Sequence, residues 1–322
     1  MISRYRAVAV AIAATVLQAA MLIAFAWPAS ELAPRDLPVA VAGPGATSLA
    51  DRLHARDAGA FDLVTVADAA AARTAIADRA VYGAIVIDGG APTVLVASAA
   101  SPAVAQQLTR VAQQLSGTAV PLIEDVVPTD PDDVGGGGFT ALVLPLVVSS
   151  LAAGYLLSLA VPSIGARLAG LGLYAAGAGV FSATVVAIFL SLLPGPYLAL
   201  AGVIGLMSVA VAATIVAAGV VAGRIGLGIG GLTFLLLGNP LSAASTGPEM
   251  LPQPWGTIGQ LLPPGAGVTL LRSVAFFDGA AALAPALILL AWTATALTVL
   301  SFAALRPRHP GAISVPVPAS AA

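Results

Sequence analysis

Residues 239–279 read NPLSAASTGPEMLPQPWGTIGQLLPPGAGVTLLRSVAFFDG. The stretch lies between two apolar runs. Its prolines and glycines are too many for one straight helix, yet its only charged residues are Glu249, Arg272 and Asp278. Irregular backbone in apolar surroundings must be shielded, because unpaired N–H and C=O groups are costly in lipid. The stretch therefore predicts two short helical pieces, at about residues 255–262 and 268–276, dipping into or lying on the outer face of a membrane. A turn at Pro263, Pro264 and Gly265 joins them. Glu249, Pro252, Trp255, Pro263, Pro264 and Arg272 are the candidate gate residues of this re-entrant segment.

Composition places the rest of the chain in the same setting. Of its 322 residues 59% are hydrophobic and 9% charged, and the mean hydropathy is +0.99. A soluble domain carries about 25% charged residues, so the chain is an integral membrane protein. It has no cysteine, which excludes disulfides, thiolate metal sites and a cysteine nucleophile. Its two histidines, His54 and His309, are far apart in sequence and suggest no metal cluster. All thirteen basic residues are arginine. Without lysine there is no Walker A motif, so the chain is not by itself a P-loop ATPase. No cofactor, metal or nucleic-acid partner is expected, and no enzymatic activity, since no serine–histidine–acid set is credible.

Taken in order, residues 7–27 form an apolar run long enough to cross a bilayer, preceded by Arg4 and Arg6. A cleaved signal peptide is the rival reading. Its apolar region is usually only about 7–15 residues, so a retained anchor is favoured, with Trp27 at the outer interface. Residues 29–138 hold most of the acids and alternate between strand and helix patterns. Strands are expected at 38–42, 62–66, 82–87 and 93–97. Helices are expected at 48–58, capped by Thr47 or Ser48, at 68–79, capped by Asp68, and from Ser101-Pro102 to about 115. The turn Asp88-Gly89-Gly90 joins two of the strands, and residues 135–138 read as a flexible glycine hinge. Apolar runs follow at 139–161, 168–193, 197–222, 225–237 (short, broken at Asn239-Pro240) and 280–305. Residues 306–322 read as a disordered cytoplasmic tail.

The fold expected is a polytopic α-helical membrane protein of six spans, with an extracytoplasmic α/β domain inserted between spans one and two. Its units are residues 1–28 (first anchor), 29–138 (α/β domain and hinge), 139–305 (five spans and the re-entrant segment) and 306–322 (tail). With residues 1–6 inside the cell, Arg4, Arg6, Arg167, Arg224, Arg306 and Arg308 all fall on the cytoplasmic side, as the positive-inside rule requires. The absence of lysine and the excess of Ala, Gly and Arg suggest a GC-rich bacterial genome, so the membrane expected is the cell membrane, with both ends of the chain cytoplasmic and residues 29–138 outside.

Several features have competing readings. Residues 226–231 contain G-x-G-x-x-G, but a dinucleotide site needs a preceding strand and a βαβ unit. Inside an apolar span, close helix packing is the natural explanation. Gly170, Gly172, Gly177, Gly179, Gly202 and Gly205 read as packing faces for the same reason. The spans hold almost no ionisable group, which argues against transport driven through a buried carboxylate. Glu249, Arg272 and Asp278 either gate a path or anchor re-entrant helices at the headgroups, and anchoring is the simpler reading.

Pro248-Glu249-Met250-Leu251-Pro252, Trp255, Leu262-Pro263, Leu271-Arg272 and Asp278-Gly279 resemble the outer re-entrant segment of ABC transporter permeases of the second exporter type. They also resemble the phage-infection-protein-like membrane proteins related to those permeases. In these families the segment lies between the fifth and sixth spans, and the run Val81-Tyr-Gly-Ala-Ile-Val-Ile-Asp88 is similar to a strand of their outer domain. The resemblance implies a homodimer or a dimer with a paralogue, a separate cytoplasmic ATPase, and a lipid-like or otherwise amphiphilic substrate. It also makes Arg167, between spans two and three, the candidate ATPase contact. The chain departs from the pattern in two places. The amphipathic helix before the first span is reduced to residues 1–6, and the coupling helix to residues 162–167. A non-transporting scaffold or surface receptor, acting through its α/β domain, is therefore the competing expectation.

Overall fold

The computed structural model describes residues 2–88, 92–116, 120–131, 133 and 135–305. The expected tail, residues 306–322, and the glycines of the 88–90 turn lie outside these.

Five strands, β1 (Leu37–Ala42), β2 (Phe61–Val66), β3 (Gly83–Val86), β4 (Thr93–Val96) and β5 (Leu122–Asp125), form one sheet in the order β2-β1-β3-β4-β5. β1 runs parallel to β2 and β3, with Leu37 opposite Phe61 and Ala40 opposite Ala84. β3 and β4 are antiparallel, with Gly83 opposite Val96, and β4 runs parallel to β5. Crossover helices α2 (Ala46–Arg56), α3 (Ala69–Ala77) and α4 (Pro102–Ser116) cover both faces. That is why the central strands are apolar on both sides rather than alternating. Ala40, Ala42, Ala84 and Val86 pack on Ala72 and Ile76 of α3. On the opposite face Val41 and Ile85 meet Leu49 and Leu53 of α2, and Leu37, Val39 and Val94 meet Val104 and Leu108 of α4.

The four expected strands and three expected helices of this domain are present, and they differ from expectation at their ends. Asp68 caps α3, accepting from Ala71 N at 2.8 Å. α2 instead begins at Ala46 behind Gly45, without a side-chain cap, so Thr47 and Ser48 lie inside the helix. β5 was not expected. The glycine hinge is ordered at its far end. Gly137 and Gly138 open α5 (Gly137–Ala160), and the Asp133 carboxylate accepts from Gly138 N at 2.8 Å and Phe139 N at 3.2 Å, satisfying two of the helix's orphan donors.

Beside the sheet domain stands a bundle. Around α7 (Tyr197–Leu232, continued as a π-helical turn to Gly238) pack α5, α6 (Ile164–Ala183, continued as a π-helical turn to Phe189) and α10 (Leu283–Leu305), while α1 (Ile2–Ser30) stands at the side. Among the described residues five helical stretches are long and apolar enough to cross a membrane. With one small sheet, this is the architecture of a multi-pass helical membrane protein.

The longest of these stretches, Tyr197–Gly238, is not one rod. Gly223 has φ 59° and ψ −137°, a conformation open essentially to glycine alone, and there the chain turns back on itself. A Cβ added at Gly226 would strike the carbonyl of Ala218, and one at Gly230 would lie 2.9 Å from Ile215 Cδ1. In a straight helix positions 15 residues apart lie roughly 22 Å apart. Tyr155 of α5 donates to Leu227 O at 2.9 Å beside the reversal.

The glycine-rich run 226–231 is thus a packing surface at Gly226, Gly230 and Gly231, the last against the Tyr155 ring. Gly170, Gly179 and Gly205 likewise sit against neighbouring helices. Gly172, Gly177 and Gly202 do not, since a Cβ there would meet open space. Small residues matter here because lipid offers no hydrophobic drive for helix association, and close van der Waals approach must supply it.

Candidate functional site

The segment 239–279 is better buried than its sequence implied. After short 3₁₀ turns at Pro240–Ser242 and Pro248–Met250 it forms α8 (Trp255–Leu261) and α9 (Pro263–Phe276). Pro263 and Pro264 are the first residues of α9 rather than a connecting turn. Their fixed φ and missing N–H suit the first turn of a helix, so α9 runs five residues longer at its start than the expected 268–276. Pro263, Pro264, Val268, Leu271 and Ala275 are buried, and Val268, Leu270 and Leu271 join Met207 of α7 and Leu289 of α10 in the main bundle core. α9 is therefore packed into the bundle, against α7 and α10. Trp255 meets Trp27 of α1 edge to face at 6.3 Å between ring centroids, and Pro252 is buried just before it.

This segment also completes the sheet domain. Met250 belongs to the α4-side core, with Leu37 and Leu108. Phe277 belongs to the α3-side core, with Ile76 and Val86. Hydrogen bonds knit the two together: the backbone bonds Ala33 N to Met250 O at 3.1 Å and Arg35 N to Glu249 O at 3.0 Å, and the side-chain bond from buried Ser101 Oγ to Thr246 O at 2.5 Å. Residues 29–138 are thus not a self-contained core.

At this junction lies a cavity of about 320 Å³. Its polar wall is formed by Arg79, Tyr82, Glu249, Gln260, Thr269 and Arg272, and its apolar wall by Ala284, Pro285 and Ile288 of α10 with Pro38 and Pro248. Tyr82 donates to Glu249 Oε2 at 2.8 Å. Burial, then the Glu249 charge, pushes the Tyr82 hydroxyl well above its usual range, so it stays a donor. Arg79 donates through Nη1 to Thr269 O at 3.0 Å and to Ser273 Oγ, and stacks over Phe277 at 5.3 Å from the ring centroid. Burial lowers its pKa, with Tyr82 and Glu249 working against the shift.

Arg272 is 3% exposed. It stacks over Phe139 at 4.8 Å and donates through Nη2 to Ala244 O at 2.5 Å, while its Nε has no hydrogen-bond partner. Among the described residues neither Arg79 nor Arg272 is ion-paired.

Of the sequence candidates, Glu249 and Arg272 thus come together at the cavity. Pro252, Trp255, Pro263 and Pro264 shape the segment around it without lining it. Sequence reasoning missed Arg79 and Tyr82, which lie some 190 and 167 positions from the partners they bind. Arg79 follows the end of α3 with φ 58°, and no local pattern marks it. Asp278, also with positive φ, is exposed and lies outside the cavity lining.

Arg167 is at the opposite end of the bundle. Its Nε donates to Val161 O at 2.7 Å and its Nη2 to Ser158 O at 2.9 Å, so it closes the C-terminus of α5. Arg224, beside the reversal, is exposed at that same end. No cluster of three or more histidine, cysteine or acidic residues suited to a metal occurs among the described residues. Comparison with protein-family models, with curated proteins and with solved structures gave no match. What the fold and the site define is therefore a class, a multi-pass membrane protein with a charged, half-apolar cavity between its sheet domain and its bundle.

Proposed function

We propose that this chain is the permease subunit of an ABC-type exporter, moving an amphiphilic or lipid-like molecule with ATP hydrolysed by a separate cytoplasmic subunit. The observation that carries the reading is the α8–α9 hairpin, buried in the bundle, roofed by the sheet domain and bordered by a cavity half charged and half apolar. An amphiphile has those same two halves. Six crossings follow if the reversal at Gly223 is taken as a cytoplasmic turn. Residues 224–238 then rise roughly 22 Å at about 1.5 Å per residue, short of the ~30 Å hydrocarbon layer, and give way to the re-entrant segment. This orientation puts Arg4, Arg6, Arg167 and Arg224 inside the cell, in keeping with the positive-inside rule, and residues 29–138 outside the cell membrane. The largely exposed apolar surface of α1, with Val8, Ile12 and Val16 uncovered, suits lipid or a second copy, as a homodimer or paralogue dimer requires.

The second reading is a non-transporting scaffold or receptor of the phage-infection-protein-like kind. It is favoured by the short cytoplasmic connection, where residues 161–163 alone join α5 to α6 and Arg167 of α6 is engaged by the end of α5. Stable interfaces bury roughly 800 Å² per partner. A mild-detergent pull-down from the native cell, under conditions that retain a known permease–ATPase pair, separates the two. Recovery of an ATPase that is lost with Arg224→Glu supports the exporter. Recovery of none from the wild type would leave the scaffold.

A further inference from the structure

The cavity beneath the sheet domain carries an excess of positive charge. Arg79 and Arg272 contribute two cations and Glu249 one anion. The Glu249 carboxylate is engaged by Tyr82, and the two guanidinium groups repel one another. A buried cation is normally retained only when paired or fully hydrogen-bonded. Arg272 has neither condition met: one carbonyl and one aromatic ring face it, and its Nε–H lacks an acceptor.

Guanidinium groups match the planar, two-oxygen geometry of carboxylates and phosphates. The cavity's size, about 320 Å³, sits at the small end of ligand pockets, which start at around 300 Å³. It has room for a headgroup and not for a whole lipid. On α10, Ala284 and Ile288 line it one helical turn apart, and Trp292 stands a further turn along the same face. Ala284 is exposed at the cavity's edge, so an apolar chain leaves the cavity along the start of α10.

We infer that this cavity binds the singly charged anionic headgroup, phosphate diester or carboxylate, of an amphiphile, with Arg272 and Arg79 on the anion and the apolar chain laid along α10. The inference deepens the exporter reading, from which it takes only the amphiphilic nature of the ligand, and it needs no ATPase.

The test uses the full-length protein purified in a neutral detergent. Native mass spectrometry and ligand-dependent thermal shift are read against three probes. These are a single-chain lipid with a glycerol phosphodiester headgroup, the same lipid with an uncharged headgroup, and free glycerol phosphate. The charged lipid is expected to bind at least tenfold more tightly than either of the others. Arg79→Gln, at a partly exposed position, is expected to weaken that binding about tenfold. Glu249→Gln keeps an acceptor for Tyr82 while adding net positive charge, and is expected to tighten it. Arg272→Gln is expected to abolish the preference, and the other two variants carry the test if it fails to fold. Equal binding of charged and uncharged lipid, or no response to Arg79→Gln and Glu249→Gln, overturns the site. Free glycerol phosphate binding as tightly as the lipid overturns the amphiphile assignment. Failure of the ATPase pull-down touches neither result, so the two ideas fall separately.

Discussion

The two ends of the bundle use arginine in opposite ways. At one end Arg167 caps α5 and Arg224 is exposed beside the Gly223 reversal, with no domain covering them among the described residues. At the other, Arg79 and Arg272 are drawn under the sheet domain, laid over Phe277 and Phe139, and left without carboxylate partners. The first arrangement closes a helix and keeps charge in water, which costs little. The second holds charge where it is expensive. The difference separates arginines at an open helix end from arginines enclosed beside a cavity.

The largest effect tests which side of the membrane each end faces, and it is close to all-or-none. The chain lacks cysteine, so single substitutions report cleanly. His54→Cys, exposed on α2, should react with a membrane-impermeant maleimide added to intact cells, while Ala166→Cys, exposed at the start of α6, should react only after lysis. The reverse pattern would invert the orientation.

At the covered end, Met250→Ala removes a side chain that completes the sheet-domain core from the bundle segment. Such truncations cost about 2–5 kcal/mol, seen here as a lower melting temperature in detergent together with faster protease cleavage within residues 29–138. A melt unchanged from wild type would mean that the sheet domain stands alone. At the bare end, Gly223→Ala forces a Cβ into a conformation essentially reserved for glycine, at about 1–3 kcal/mol. If the variant melts like the wild type, the sharp reversal is lost as a feature of the fold. Smallest is Arg167→Ala, which strips donors from two carbonyls at the end of α5 and should cost about 1 kcal/mol. A loss of ATPase recovery with no loss of stability would instead make Arg167 a partner contact.

The legible parts were those written locally. Apolar runs marked the helices, Asp68 its cap, and the Pro/Gly-rich residues 239–279 an irregular insertion. Glu249 and Arg272 stood out because charges are so few there. Arg79 and Tyr82 were invisible, since nothing near them in sequence differs from an ordinary helix end and an ordinary strand. The fate of Arg272 was also hidden. An arginine flanked by Leu271 and Ser273 reads equally as a headgroup anchor or as a buried cation, and only the packing of α9 against α7, α10 and Phe139 distinguishes them.

The sequence by itself determined the class, the apolar segments, the alternating strands and helices of residues 29–138, and the absence of any phosphate-binding lysine or cysteine chemistry. These follow from composition and from periods of two and 3.6, which are properties of neighbouring residues. Tertiary structure alone decided that residues 197–238 double back at one glycine, that Met250 and Phe277 finish a core begun two hundred residues earlier, and that Arg79 and Arg272 share a cavity. Those outcomes depend on contacts between distant segments, for which the local pattern carries no code.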